Sequence, residues 1–257
     1  MAAKTSHPEY FETSGPVVVE NQVDVAAQRE GVVAKILADV GTPVHKGQIL
    51  AQLDDRQLTA DRDVAADKVQ SADASLRNWN EEVKVLETDL ARDEALFKAK
   101  LITELQLEHS RYKLAADRFD AERAVHGLAE SKNTLKSLQL EWEKTRITAP
   151  FGGVVARRYV RVGQKVATGD RLFWVTATSP LNVRFTLPQE FVGKIKIGSE
   201  VRVAPPFEPT AQKTAKVTLV SPVVDPSSAT IEVQAQVQGP PGDLRPGMTV
   251  NVRVRNP

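Results

Sequence analysis

GVVAKILADVGTPVHKGQILAQL, residues 31–53, returns as GVVARRYVRVGQKVATGDRLFWV at residues 153–175. The two stretches align without a gap at a constant offset of 122 residues. Gly31, Val32, Val33, Ala34, Val40, Gly41, Val44, Gly47 and Leu50 recur as Gly153, Val154, Val155, Ala156, Val162, Gly163, Val166, Gly169 and Leu172. Each copy reads as a β-branched strand, a tight turn and a second apolar strand. Gly41 and Gly47, with their counterparts, sit where such turns need positive φ or no side chain. Two halves of this kind can pair into one small β-domain. The residues between them must then leave that domain and return to it as a hairpin.

The intervening sequence supports a helical hairpin. No proline lies between Pro43 and Pro150, and Gly127 is the only glycine between Gly47 and Gly152. Leu58, Ala65, Ala72, Trp79 and Leu86 recur every seven residues, and so do Val69, Leu76, Val83, Leu90 and Phe97. Two apolar rows at that spacing are the seam of a coiled coil. A second arm carries Leu107, Leu114, Ala121, Leu128, Leu135 and Trp142 in one row. Its companion row, Ser110, Asp117, Ala124, Ser131 and Leu138, is more polar. The break falls in Lys98-Ala99-Lys100-Leu101-Ile102-Thr103, and Thr103 with Gln106 fits a capping box for the returning helix. Arms of about 44 residues would each reach about 65 Å. Pro150 cannot continue the second arm.

After the second copy the character changes again. Pro180, Pro188, Pro205, Pro206, Pro209, Pro222, Pro226, Pro240, Pro241 and Pro246 separate short β-rich runs such as NVRFTL, KVTLVS and TIEVQAQV. That spacing predicts a small antiparallel barrel. Before the first copy, the β-branched run after Gly15-Pro16 reads as one more strand. Lys plus Arg is 34 against 33 for Asp plus Glu, so charge gives no case for nucleic-acid binding. The absence of cysteine excludes disulfides and thiolate metal sites. No run of about 18 apolar residues spans a bilayer, and MAAKTSHPEYFETSG lacks the apolar core of a signal peptide. Unless the protein is cytosolic, an export signal or anchor is expected to lie outside this chain.

Two half-motifs flanking a helical hairpin, with a barrel after them, resemble the membrane fusion protein (HlyD-like) family of periplasmic adaptors. The strings that carry the resemblance are AAQREGVVAKILADVGTPVHKGQILAQLD, TRITAPFGGVV, VSPVVDPSSATIEV and LRPGMTVNVRV. The resemblance implies a mixed α and β, elongated, multi-domain fold. A split lipoyl-like (biotinyl/lipoyl) β-domain would be interrupted by a long antiparallel α-helical coiled-coil hairpin and followed by a small antiparallel β-barrel. The expected divisions are an N-terminal strand joining the barrel at 10–21, half-motif 1 at 22–54 and the hairpin at 55–146. Half-motif 2 would span 147–176 and the barrel 177–257, with a membrane-proximal domain absent or minimal.

Family adaptors that dock on an outer-membrane duct carry a tip pattern whose positions here are Arg92, Leu96, Thr103 and Leu107, with Thr103 in place of the usual Ser. The resemblance implies an adaptor of a tripartite efflux pump. It would bridge an inner-membrane transporter, resistance-nodulation-division (RND) type favoured, to an outer-membrane channel of the TolC type. It also implies self-association, as a hexamer or a trimer of dimers, and a periplasmic location attached to the inner membrane in the full-length protein. An ABC-type exporter or a type I secretion system is the alternative partner.

Other functions have little to stand on. No nucleophile–base pair, phosphate loop or paired-carboxylate motif is present, so no catalytic residue, cofactor or metal is assigned. His7, His45, His109 and His126 lack ligand-type spacing. The arms' Glu81, Glu82, Glu87, Asp89, Asp93 and Glu94 alternate with Lys and Arg as on a solvated helix face. A lipoyl or biotinyl carrier would present one Lys at the hairpin joining its halves, and here residues 55–146 replace that hairpin. Lys46 and Lys165 lie elsewhere in the motif. Intact mass of the chain isolated from native cells should therefore show no lipoyl or biotinyl adduct; finding one would restore the carrier reading.

Overall fold

The computed structural model describes residues 10–208, 210–240 and 242–255. Most of the MAAKTSHPEYFETSG stretch that lacks a signal-peptide core, residues 1–9, lies outside them. Strands of the first half-motif are β2 (Gln22–Ala26), β3 (Gly31–Ile36), β4 (Pro43–Val44) and β5 (Ile49–Leu53). Helices α1 (Arg56–Lys98) and α2 (Glu104–Glu143) follow. The second half-motif supplies β6 (Arg146–Thr148), β7 (Gly153–Arg158), β8 (Lys165–Val166) and β9 (Arg171–Thr176). These strands form two four-stranded sheets, β2-β9-β7-β4 and β6-β5-β3-β8. Each sheet takes strands from both halves.

The two halves interlock by reciprocal hydrogen bonds. The Val33 N–H donates to the Gln164 carbonyl (2.9 Å), and the equivalent Val155 N–H donates to the Thr42 carbonyl (3.1 Å). Gly41 N–H reaches the Val155 carbonyl (2.9 Å) and Gly163 N–H the Val33 carbonyl (2.8 Å). Gly47 N–H reaches the Ala149 carbonyl (2.7 Å) and Gly169 N–H the Ala27 carbonyl (2.8 Å). Each bond is matched by one 122 residues away, so the repeat in sequence has become a two-fold relation in space. Val33, Val44, Leu50, Val155, Val166 and Leu172 are buried in one core, as the ungapped repeat predicts. Gly153 is required by close approach rather than by its backbone angle. A Cβ there would stand 2.2 Å from the Thr176 carbonyl oxygen of β9.

The second core is the barrel. β1 (Tyr10–Val18), β10 (Asn182–Pro188), β11 (Glu200–Ala204), β12 (Lys213–Asp225), β13 (Thr230–Val237) and β14 (Thr249–Arg255) close in the order β1-β10-β13-β12-β11-β14. Alternate residues of β10 and β13 point inward, so Val183, Phe185, Leu187, Ile231, Val233 and Ala235 are buried. Phe151, from the TRITAPFGG string, packs against both cores. The β12–β13 turn holds Ala229 at φ 51. Asp225 braces that turn, accepting from the Ser227 N–H and hydroxyl and from the Ser228 hydroxyl. The Ser227 hydroxyl, the Ser227 N–H and the Ser228 hydroxyl together hold the Asp225 carboxyl below its ordinary pKa.

In the hairpin, Ala65 and Leu86 of α1 and Leu107, Leu114 and Leu128 of α2 are buried. Leu58, Val69, Ala72, Leu76, Trp79, Val83 and Leu90 are half-buried along the same seam. The polar companion row of α2, Ser110, Asp117, Ala124, Ser131 and Leu138, is half-buried as well, so α2 does turn both rows toward α1. Phe97 departs from the seven-residue row: it is 39% exposed, and Leu96 turns inward beside it. A helix of 3.6 residues per turn drifts off a 3.5-residue repeat, and by Phe97 the chain is entering the turn.

One flank of the seam carries Glu94–Arg111 (3.2 Å) and Glu87–Arg118 (2.7 Å) between the arms. The other flank is an open groove of about 460 Å³, lined by Ala65, Lys68, Ala72, Ser75, Ala124 and Gly127 among others. A Cβ on Gly127 would meet nothing within 4 Å. Gly127→Ala should therefore stabilise α2 by about 1 kcal/mol, through helix propensity alone. Gly153→Ala should destabilise the chain by about 1–3 kcal/mol, because backbone must move to admit the methyl. Thermal melts of the two variants against the parent check both signs.

Candidate docking site at the hairpin tip

The tip is built from two opposed helix-end devices. α1 ends in a Schellman turn: the Leu101 N–H donates to the Leu96 carbonyl and the Lys100 N–H to the Phe97 carbonyl, both at 2.9 Å. Lys100 takes the left-handed position at φ 60, where glycine is the usual occupant. α2 then starts at a complete capping box. The Gln106 N–H donates to the Thr103 hydroxyl (3.3 Å), and the Thr103 N–H donates to Gln106 Oε1 (2.8 Å). This cap is the one that Thr103 and Gln106 promised in sequence. The Schellman turn had no such signal, because Lys100 occupies the place of the expected glycine.

Of the four residues expected at the tip, Arg92 is exposed and its guanidinium pairs with Asp89 of the same helix at 3.0 Å. Leu96 is half-buried and Thr103 is exposed while capping α2. Leu107 is only 5% exposed, so it packs within the hairpin. Its burial by the chain's own arms means that a charge there cannot leave stability unchanged. Just inside the tip, the Ser110 hydroxyl donates to the Asp93 carboxylate across the seam. The apex itself exposes Leu101 (71%), Leu105 (77%) and Phe97 (39%). Leu101 and Leu105 were missed because they lie off both apolar rows. The signal available was their position beside the break, where no seam can cover them.

The other end of the hairpin is a fixed root. Two guanidiniums lie over the Trp142 ring, Arg146 at 3.7 Å and Arg62 at 4.8 Å from its centroid. Trp142 Nε1–H donates to the Thr59 hydroxyl at 3.2 Å, joining the two arms. Arg29 Nη1–H donates to the Glu141 carbonyl at 3.3 Å, tying the first half-motif to the end of α2. Lys144 and then Arg29 hold the Glu141 carboxyl below its ordinary pKa. Among the described residues, no group of three or more His, Cys, Asp or Glu is placed to hold a metal, and no helix is long and apolar enough to cross a membrane.

Residues 21–177 match the model of the CzcB-like barrel-sandwich hybrid domain, and residues 181–257 that of the CusB-like β-barrel domain. The chain belongs to the membrane fusion protein family. It is 27% identical over 270 residues to the multidrug resistance protein MdtA of Escherichia coli O7:K1, covering 98% of this chain and 60% of that protein. The chain thus spans about 60% of the length of the curated relatives it matches. Its fold is similar to the crystal structure of MacA from Actinobacillus actinomycetemcomitans, with a TM-score of 0.76 at 22% identity, covering 96% of this chain and 80% of that one. It is also similar to the membrane fusion protein Spr0693 of Streptococcus pneumoniae R6, with a TM-score of 0.69 at 21% identity, covering 96% and 100%.

Lys100→Gly should relieve the left-handed strain and raise the thermal midpoint, by about 1 kcal/mol in stability. Leu107→Asp should lower it by about 2–4 kcal/mol, because the carboxylate would be buried without a partner. Melts followed by circular dichroism at 222 nm check the pair.

Proposed function

We propose that this protein is a periplasmic adaptor of a tripartite efflux pump, joining an inner-membrane transporter of the RND type to an outer-membrane channel. The observation that carries the reading is the exposed apex. Leu101, Leu105 and Phe97 face solvent at the free end of a braced hairpin whose other end is fixed to the β-domain. A long arm that presents apolar side chains at its far end is built to meet another protein there. Arg92, exposed on the tip-proximal part of α1, adds a planar fork that suits carboxylates and backbone carbonyls of a partner. Thr103 contributes by fixing the direction in which α2 leaves the apex, and Leu107 by holding the arms together behind it.

The choice of transporter rests on the barrel, whose matched model is of the CusB-like RND type, and on the likeness to a multidrug resistance protein. In the assembled pump, several copies would surround the transport path, and the work would be mechanical: sealing, bridging and relaying transporter motion. The site of action would be the periplasm, with attachment to the inner membrane in the full-length protein.

The test uses Arg92→Asp, because Arg92 is exposed and, among the described residues, its only ion pair is with Asp89 of its own helix. The variant should keep its helix content and thermal midpoint, yet lose efflux when the full-length protein is expressed in cells lacking their own copy. Susceptibility to a panel of drugs and metal salts reads the loss. A folded Arg92→Asp protein that still supports efflux would remove Arg92 from the docking surface. If a companion Leu101→Asp variant also folds and transports, the bridging role fails.

A further inference from the structure

The barrel joins the half-motif domain through residues 19–21 and 177–181, at one of its two ends. The other end is crossed by a single segment. Pro188 ends β10, and residues 189–199 then run over the mouth before β11 begins. Both ends of the crossing are tied down: the Gln189 N–H donates to the Ala229 carbonyl (3.0 Å) and the Gly198 N–H to the Val217 carbonyl (2.8 Å). Phe191 and Ile195 of this segment turn inward and are buried in the barrel core. Val192 and Ile197 turn outward and are 54% and 74% exposed. Val223, in the β12 bulge beside the same mouth, is 68% exposed. Three aliphatic side chains thus stand outward at one end of the barrel, away from its core.

The charges at this end favour an anionic partner. Lys194 and Lys196 lie between Val192 and Ile197, both are exposed, and neither has an ion-pair partner among the described residues. Arg255, where β14 ends, is exposed beside them and pairs in register with Tyr10, the first residue of β1. Two of the nearby acids are engaged. Glu200 stands opposite Lys216 in the β11–β12 ladder, and Asp225 accepts from Ser227 and Ser228. Glu190 is exposed and offsets one of the cations.

The kind of partner follows from the residue types. Protein interfaces concentrate Tyr, Trp and Arg at their centres and are depleted in Lys. Here the exposed apolar groups are aliphatic and the cations among them are lysines. That combination suits a lipid surface, where aliphatic tips enter the headgroup layer and ammonium groups on long stems reach the phosphates. An added β-strand is a poor fit. β12 leaves β11 after Val217, so its outer edge is open there. Pro222 and the register shift between Val220 and Val224 blunt that edge against strand pairing.

We propose that this end of the barrel rests on an anionic bilayer surface, with Val192, Ile197 and Val223 entering the headgroup layer and Lys194 and Lys196 meeting lipid phosphates. The contact is peripheral, since among the described residues no helix is long and apolar enough to cross a membrane. It rests on the adaptor reading for which membrane is met. It goes beyond that reading by giving the barrel itself a lipid contact, separate from any anchor. In the order of parts, from apex through arms and half-motif domain to barrel, this is the last face, so lipid contact here leaves the apex free. Its test needs no other protein.

The purified full chain should float with phosphatidylcholine vesicles that contain phosphatidylglycerol, and stay behind with phosphatidylcholine alone. Lys194→Gln with Lys196→Gln should lower the bound-to-free ratio about twentyfold, since each lysine near an anionic surface is worth about fivefold. Val192→Ser with Ile197→Ser should lower it about tenfold through lost apolar burial. All four positions are exposed, so circular dichroism and thermal midpoints should match the parent. The chain has no cysteine, so a polarity-sensitive fluorophore on Ile197→Cys reports on this face alone. Its emission should shift to the blue on anionic vesicles, and the same label on Leu101→Cys at the apex should not respond. A folded chain that ignores anionic vesicles overturns the proposal. So does binding undiminished in both double variants, or a blue shift at Leu101 and none at Ile197, because another surface would then hold the lipid. Efflux lost in Val192→Ser with Ile197→Ser, with no vesicle binding by the parent chain, would give the face to a protein partner and overturn the lipid contact too. Vesicle binding alongside unimpaired efflux in Arg92→Asp and Leu101→Asp would keep the lipid contact and remove only channel docking.

Discussion

The rest of this molecule depends on the reciprocal interlock of the two half-motifs. Neither half closes a sheet alone. β3 of the first half pairs with β8 of the second, and β4 pairs with β7. Turn amides on each side are satisfied by carbonyls on the other, Gly41 to Val155 and Gly163 to Val33. A buried amide left without its partner carries a large desolvation cost, so the halves stand or fall together. The intervening chain must therefore return to the point from which it left. Given that, an antiparallel hairpin is the economical path, and its length is free to be set by reach. The closure cost of a longer excursion grows only slowly.

The hairpin divides its tasks between seam and flank. Burial of Leu86, Leu107, Leu114 and Leu128 supplies the cohesion. The ion pairs Glu94–Arg111 and Glu87–Arg118 are solvent-exposed, and pairs of that kind add little stability. Their contribution is register, since they fix which turn of α2 lies beside which turn of α1. Among the described residues the opposite flank carries no such latch, and it stays open around Gly127. At the apex, Lys100 holds a left-handed backbone conformation that costs energy for any residue but glycine. The Schellman turn and the capping box hold it there from both sides.

The root does the complementary work. Arg62 and Arg146 both lie over the Trp142 ring, and its indole N–H reaches Thr59. Phe151 belongs to the edge of both β cores. The arm, the half-motif domain and the barrel are thus joined by side chains that each touch two of them. A load applied to one has a packed route to the next, as a relay between partners would need.

The sequence by itself determined the fold class. The 122-residue offset, the helical spacing between the copies and the proline-punctuated β-runs after them are local patterns, and local patterns survive without knowledge of the third dimension. It also determined one structural detail at the tip, the Thr103–Gln106 cap, because a capping box is completed within four residues. The seven-residue row already put Leu107 in the seam and left Leu105 off it, and the two are indeed buried and exposed. Tertiary structure alone decided the rest of the tip. Phe97 lies on the seven-residue row and still turns outward, because the row's phase is lost where the helix ends. The Lys100 turn, the stacked Trp142 and the double packing of Phe151 were likewise invisible. Each depends on groups brought together from distant parts of the chain, or on a backbone conformation that the residue type argues against.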